Sequence, residues 1–155
     1  MVMPFQVGLG PLYKSEVVDK INSISDDQDS WLVVGGIYYE HIPLLANNGL
    51  VGGVQLYPDK DYWIDRFGTE NEYIFNRKAH INFISSPEAE EISLPQGNLI
   101  IINVKNCDSK ILDDTDYILS DTQLSLALPC LYQIDTYHNS KTKLYFYKKT
   151  NNLNR

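Results

Sequence analysis

Cysteine and histidine are scarce in this chain, with two of the first and three of the second. Cys107 and Cys130 have no second pair with which to build a disulfide framework, and their spacing matches no metal-binding motif. One bridge between them is open on the sequence. The plainer expectation is two small, buried hydrophobic side chains. His41, His80 and His138 stand far apart, whereas a zinc site draws three or four ligands with local pairing; no metal site is expected. Positive charge is scarce too. Thirteen Lys and Arg against twenty Asp and Glu leave a net charge of −7. Nucleic acid is thereby excluded as the main partner, since phosphate binding needs clustered Lys and Arg. The basic cluster that exists, Lys141, Lys143, Lys148, Lys149 and Arg155, is confined to the C-terminal end.

Long apolar runs are missing as well. No stretch approaches the roughly 18–20 residues that cross a bilayer, so this segment is not expected to insert into a membrane. Met1 to Gly10 lacks the charged and apolar regions of a signal peptide. The glycine-rich places, Gly8-Leu9-Gly10 and Gly49 to Gly53, match neither the dinucleotide fingerprint nor the P-loop, and no cofactor is expected. There is no Gly-x-Ser-x-Gly, and neither cysteine has a recognisable nucleophile context. Neighbouring carboxylates abound (Asp59 and Asp61; Glu88, Glu90 and Glu91; Asp113, Asp114 and Asp116). Sequence neighbours in loops read as a solvated acidic face, not as two carboxyls set across a cleft.

What remains is an ordinary globular composition, 43% hydrophobic and 21% charged, in 155 residues. That length suits a single domain with a core of its own. Residues 1–10 and 151–155 read as irregular ends. Ser15 is placed to cap a helix to about Ile24, with Val17, Val18, Ile21 and Ile24 on one face. Trp31 to Ile37 reads as a buried strand closed by Gly35-Gly36. Leu50 to Leu56 reads as a strand with Gly52-Gly53 marking a bulge or a close backbone approach. Asp59 should cap a helical stretch from Lys60 to Phe67, ended by Gly68. Thr69-Glu70-Asn71-Glu72 has the form of a capping box opening a second short helix to about Lys78.

From His80 the pattern turns to strands. His80 to Ile84 alternates, and Glu91 to Leu94 is a short edge candidate. Leu99 to Val104 is continuously apolar, as in a central strand covered on both faces. Asp116 to Ser120 is another strand. Leu131 to His138 and Thr142 to Lys148 form a hairpin about Asn139-Ser140. The fold class is therefore α+β: one domain, a mixed β-sheet with a C-terminal antiparallel hairpin, and three or so short helices packed on it.

The stretch from Gly49 to Phe83 carries the candidate site. Tyr57, Asp59, Trp63, Asn76, Arg77 and His80 set aromatic faces beside directional polar groups, as a carbohydrate or peptide surface does. The competing reading makes Trp63, Tyr73 and Phe75 core, with Arg77 pairing Asp61 or Asp65 to lock two short helices together. Neither reading assigns a catalytic residue.

Trp31-Leu32-Val33-Val34, Leu44 to Gly49, Gly52 to Asp59, Trp63, Tyr73 to His80 and Asp116 to Ser120 together resemble a known pattern. It is that of the C-terminal soluble domain of large bacterial polytopic membrane proteins. These are grouped with membrane glycosyltransferases of the GT-C type and are associated with cell-surface polysaccharide. Lys78 stands where that group has Tyr, and Thr115-Asp116 where it has Val-Lys. The resemblance implies a non-catalytic, extracytoplasmic accessory domain, a piece of a longer membrane protein. Its partners would be the parent membrane portion and glycan or lipid-linked sugar. Two alternatives stand beside it: a free-standing acidic interaction protein of the cytoplasm, of the immunity type, and a small hydrolase using His80 with a nearby carboxylate.

Overall fold

A computed structural model describes residues 16–55, 58–75 and 79–150. Among these, nine strands join in one mixed sheet. Its central strand is β1 (Ser30–Val34), whose Ser-Trp-Leu-Val-Val sequence supplies side chains to both faces. Leu32 and Val34 enter one core and Trp31 and Val33 the other, as the two-residue period of a strand requires. The apolar run is continuous because both faces are covered. On one face sits helix α1 (Glu16–Ile24), burying Val17, Val18 and Ile21. Its predicted cap, Ser15, lies outside the described residues.

The other face is covered by α3 (Lys60–Phe67) and the short α4 (Glu72–Phe75), which follow α2 (His41–Leu45) in the chain. Asp59 caps α3 as expected, and Gly68 ends it at φ 90°. Trp63 is the anchor of this layer. Its ring stacks on Phe75 at 5.3 Å and on Phe67 at 6.1 Å, the latter one helical turn away. The expected capping box does not form. Thr69–Asn71 is a 3-10 turn without a side-chain cap, and Glu72 instead accepts the Lys60 ammonium at 2.5 Å. The Glu72 carboxylate that the box would have used is taken by this exposed ion pair.

The middle of the sheet is parallel: β6 (Leu99–Asn103), β4 (Ala79–Ile84), β1 and β7 (Tyr117–Ser120) lie side by side in that order. The flanks are antiparallel. β5 (Ile92–Gln96) covers β6, while the hairpin of β8 (Leu131–His138) and β9 (Lys143–Lys149) closes the side beyond β7. Pro95 falls within β5, where an edge strand tolerates the missing donor. β6 is one strand from that edge. Ile100 and Ile102 are buried but Leu99 and Ile101 only partly, so it is not the doubly covered strand its sequence implied.

β1 and β4 meet only near their ends, at Val34 and Phe83. Elsewhere they diverge, and the segment from Gly49 to Gln55 fills the fork. Its first part, β2 (Gly49–Leu50), pairs with β1; its second, β3 (Gly53–Gln55), pairs with β4. Gly52 makes the crossing at φ 87°. A Cβ there would lie 2.4 Å from the Phe83 ring and 2.9 Å from the Ile81 carbonyl oxygen. The close backbone approach expected at Gly52-Gly53 is thus present.

Cys107 and Cys130 form a disulfide, with Cα atoms 5.9 Å apart. The plainer expectation of two unlinked hydrophobic side chains is corrected. The bridge ties the loop after β6 to the loop that precedes β8.

Candidate functional site

Of the six sequence candidates, Tyr57, Asn76 and Arg77 lie outside the described residues. Asp59 is exposed, and its Oδ1 accepts the Tyr62 N–H at 3.2 Å, which is the work of a helix cap. Trp63 is 1% exposed and belongs to the core. A ligand would have no ring face to stack on, so its reading as a binding surface is corrected. Phe75 is core in the same way, whereas Tyr73 is 62% exposed and is not.

His80 lies apart from Trp63. Ile81 and Phe83 of β4 point toward the Trp63 layer, so His80 and Asn82 point to the opposite face. There they meet Glu40, at the end of the 3-10 turn Ile37–Glu40 that follows β1. His80 Nε2 lies 2.5 Å from Glu40 Oε2. The Asn82 amide donates to Glu40 Oε1 at 3.1 Å and to the Gly35 carbonyl at 3.2 Å. Glu40 is 5% exposed and Asn82 4%. A buried carboxylate is tolerable only when paired and hydrogen-bonded, and here both oxygens are. The carboxylate sought for His80 exists, but the pair clamps a turn to a strand. Sequence reading missed Glu40 and Asn82. The one available signal was the polar His80/Asn82 stripe alternating with Ile81 and Phe83.

A second polar knot joins α3 to the 3-10 turn Lys110–Asp114. Asp114 Oδ2 accepts the Tyr62 hydroxyl at 3.0 Å and Arg66 Nε at 2.8 Å. The Arg66 guanidinium also lies over the Tyr62 ring, 3.5 Å from its centroid. Burial, and then the Asp114 carboxylate, push the Tyr62 phenol up to about 12. Among the described residues Arg66, with Asp114, thus does the helix-locking expected of Arg77. Asp113 and Asp116 of the acidic run are exposed, as a solvated face implies, yet each has a partner: Asp116 accepts the Ser30 N–H at 2.9 Å, and Asp113 the Lys149 ammonium at 3.0 Å. Asp59, Tyr62, Trp63 and Asp114 border a shallow cavity of about 320 Å³.

The parallel centre has a reversal of strand order at β1, since the chain proceeds from β1 to β4 and β6 on one side and returns to β7 on the other. In open parallel sheets, ligands favour the crevice outside the carboxyl ends at such a point. Here the chain occupies it. The Asp121 carboxylate, just past β7, accepts the Gly36 N–H at 3.2 Å. It sits where a Cβ on Gly35 would be, within 2.0 Å. Gly35, at φ 120°, is the residue that makes room for it. A backbone donor of the kind that binds phosphate elsewhere is thus answered by an internal anion.

A family model described as Domain of unknown function (DUF7654) matches residues 11–152. No curated protein and no solved structure matches the chain.

Proposed function

The chain belongs to the family described as Domain of unknown function (DUF7654), and from that premise we propose that it is a non-catalytic extracytoplasmic module of a bacterial membrane protein. Its setting is cell-surface glycan assembly, where it binds glycan or braces the membrane portion of its parent. The observation that carries the reading is the Cys107–Cys130 disulfide. Disulfides form and persist in oxidising compartments and are rare in the cytosol. The sequence resemblance to extracytoplasmic domains of GT-C-like proteins points the same way. The described candidate residues have structural partners, which supports the bracing, non-catalytic reading: Asp59 caps a helix, Trp63 anchors the core, and His80 is engaged by Glu40. No helix among the described residues is long and apolar enough to cross a membrane. The cytoplasmic immunity-type reading keeps the support of the −7 charge, but a disulfide fits it poorly.

Differential thiol alkylation in native cells tests this. Cys107 and Cys130 should resist alkylation until a reductant is added. Cys107, the less buried of the two, should then react with a membrane-impermeant maleimide on cells whose inner membrane is intact. Free thiols that label only after lysis would overturn the extracytoplasmic assignment.

A further inference from the structure

A cleft of about 410 Å³ lies between the last turn of α3 and the loop after β6. Small-molecule sites span roughly 300–1,000 Å³. We propose that this cleft is a saccharide-binding site, resting on the glycan reading above.

Its lining has the two elements a sugar ring requires. The first is an aromatic ring held in place. Phe67 borders the cleft half-buried, and it stacks behind on Trp63 and on Phe75, both at 6.1 Å. The second is polar groups of both senses. Lys105, Asn106 and Ser109 bring donors on one loop, and Glu91 and Asp108 bring carboxylate acceptors. A pyranose offers an apolar C–H face and hydroxyls that both donate and accept, so it uses this mixture. A phosphate site would gather cations without carboxylates. Here Glu91 and Asp108 stand among the lysines, and Arg66 is already held by Asp114.

The loop is also organised in advance. At its start, the buried Asn103 donates to the Ser86 and Ala89 carbonyls and accepts the Ser86 N–H. In its middle, Cys107 is bonded to Cys130. At its end, the Lys110 ammonium reaches the Asp65 carbonyl at 2.9 Å, joining the loop to α3. Lys105, in contrast, makes no hydrogen bond or ion pair with the described residues and is exposed. Groups already fixed lose less freedom when a ligand arrives. The disulfide therefore positions the binding loop as well as closing the chain.

The test is an amide-shift titration of the isotope-labelled chain. The probes are methyl glycosides of glucose, galactose, mannose, rhamnose and N-acetylglucosamine, with D-glucuronate and inorganic phosphate as separate arms, at concentrations on the order of 10 mM. At least one sugar should shift amides at Phe67, Glu91 and Lys105 to Lys110. Lys105→Ala and Asn106→Ala, both at exposed positions, should each weaken that binding roughly five- to tenfold and leave distant amides unmoved. A Cys107→Ser/Cys130→Ser double variant that remains folded should weaken it as well. Shifts from phosphate alone, shifts mapping elsewhere, no shifts, or indifference to both single variants would each overturn the proposal. The titration does not depend on compartment. Its failure beside oxidised cysteines and a surface-reachable Cys107 in cells would remove the saccharide site and leave the extracytoplasmic module standing.

Discussion

Tyr62 shows how one side chain acquires a fixed role from its surroundings. Its hydroxyl is half-buried against Asp114, and burial first, then that carboxylate, raise its pKa to about 12. The folded state favours the neutral phenol, so its pKa lies above the unfolded value near 10. The associated stability is whole below about pH 10 and declines as pH rises toward 12. Tyr62→Phe should cost about 1 kcal/mol at neutral pH through the lost hydrogen bond. Above pH 10 the gap between the two proteins should narrow, which urea melts at a series of pH values would measure; parallel curves would show that Tyr62 titrates normally. At this scale the sequence was partly legible. Asp59 as a cap and Trp63 beside Phe67 follow from local spacing. Glu40 does not, because its partners lie some 40 residues on, on a strand whose position only folding supplies.

Among the elements, the segment from Gly49 to Gln55 is the most demanding. It changes partner from β1 to β4 within a few residues, and Gly52 makes the crossing pressed against Phe83. Gly52→Ala should cost about 2–4 kcal/mol, from a left-handed backbone and a forced displacement of the ring. Gly97→Ala is the control, since a Cβ there meets nothing within 4 Å. It should stay within about 0.5 kcal/mol of the parent. Chemical denaturation of both variants checks the pair, and equal stabilities would contradict the fork. Glycine-rich spacing was enough to predict a close approach. The fork was not legible, because strand neighbours depend on contacts between distant segments. For the same reason β6 read as central though it lies next to an edge.

For the molecule as a whole, the disulfide joins loops separated by 23 residues. Closing a loop of that length constrains the unfolded chain by about 3 kcal/mol. Reduction should lower the melting temperature by roughly 6–12 °C in calorimetry. A melting temperature indifferent to reductant would mean the bridge does not constrain the fold. The sequence by itself determined the fold class, the main strands, the helices Glu16–Ile24 and Lys60–Phe67, the C-terminal hairpin and the Asp59 cap. These depend on period, propensity and turn chemistry within a few residues, which the chain carries locally. Only the tertiary structure decided the strand order, the Glu40–His80–Asn82 clamp, the filling of the crevice by Asp121, the Cys107–Cys130 bond and the cleft beside Phe67. Each is a meeting of residues far apart in the chain. Such meetings are selected by the burial of two apolar faces of one sheet, a condition that no local stretch of sequence states.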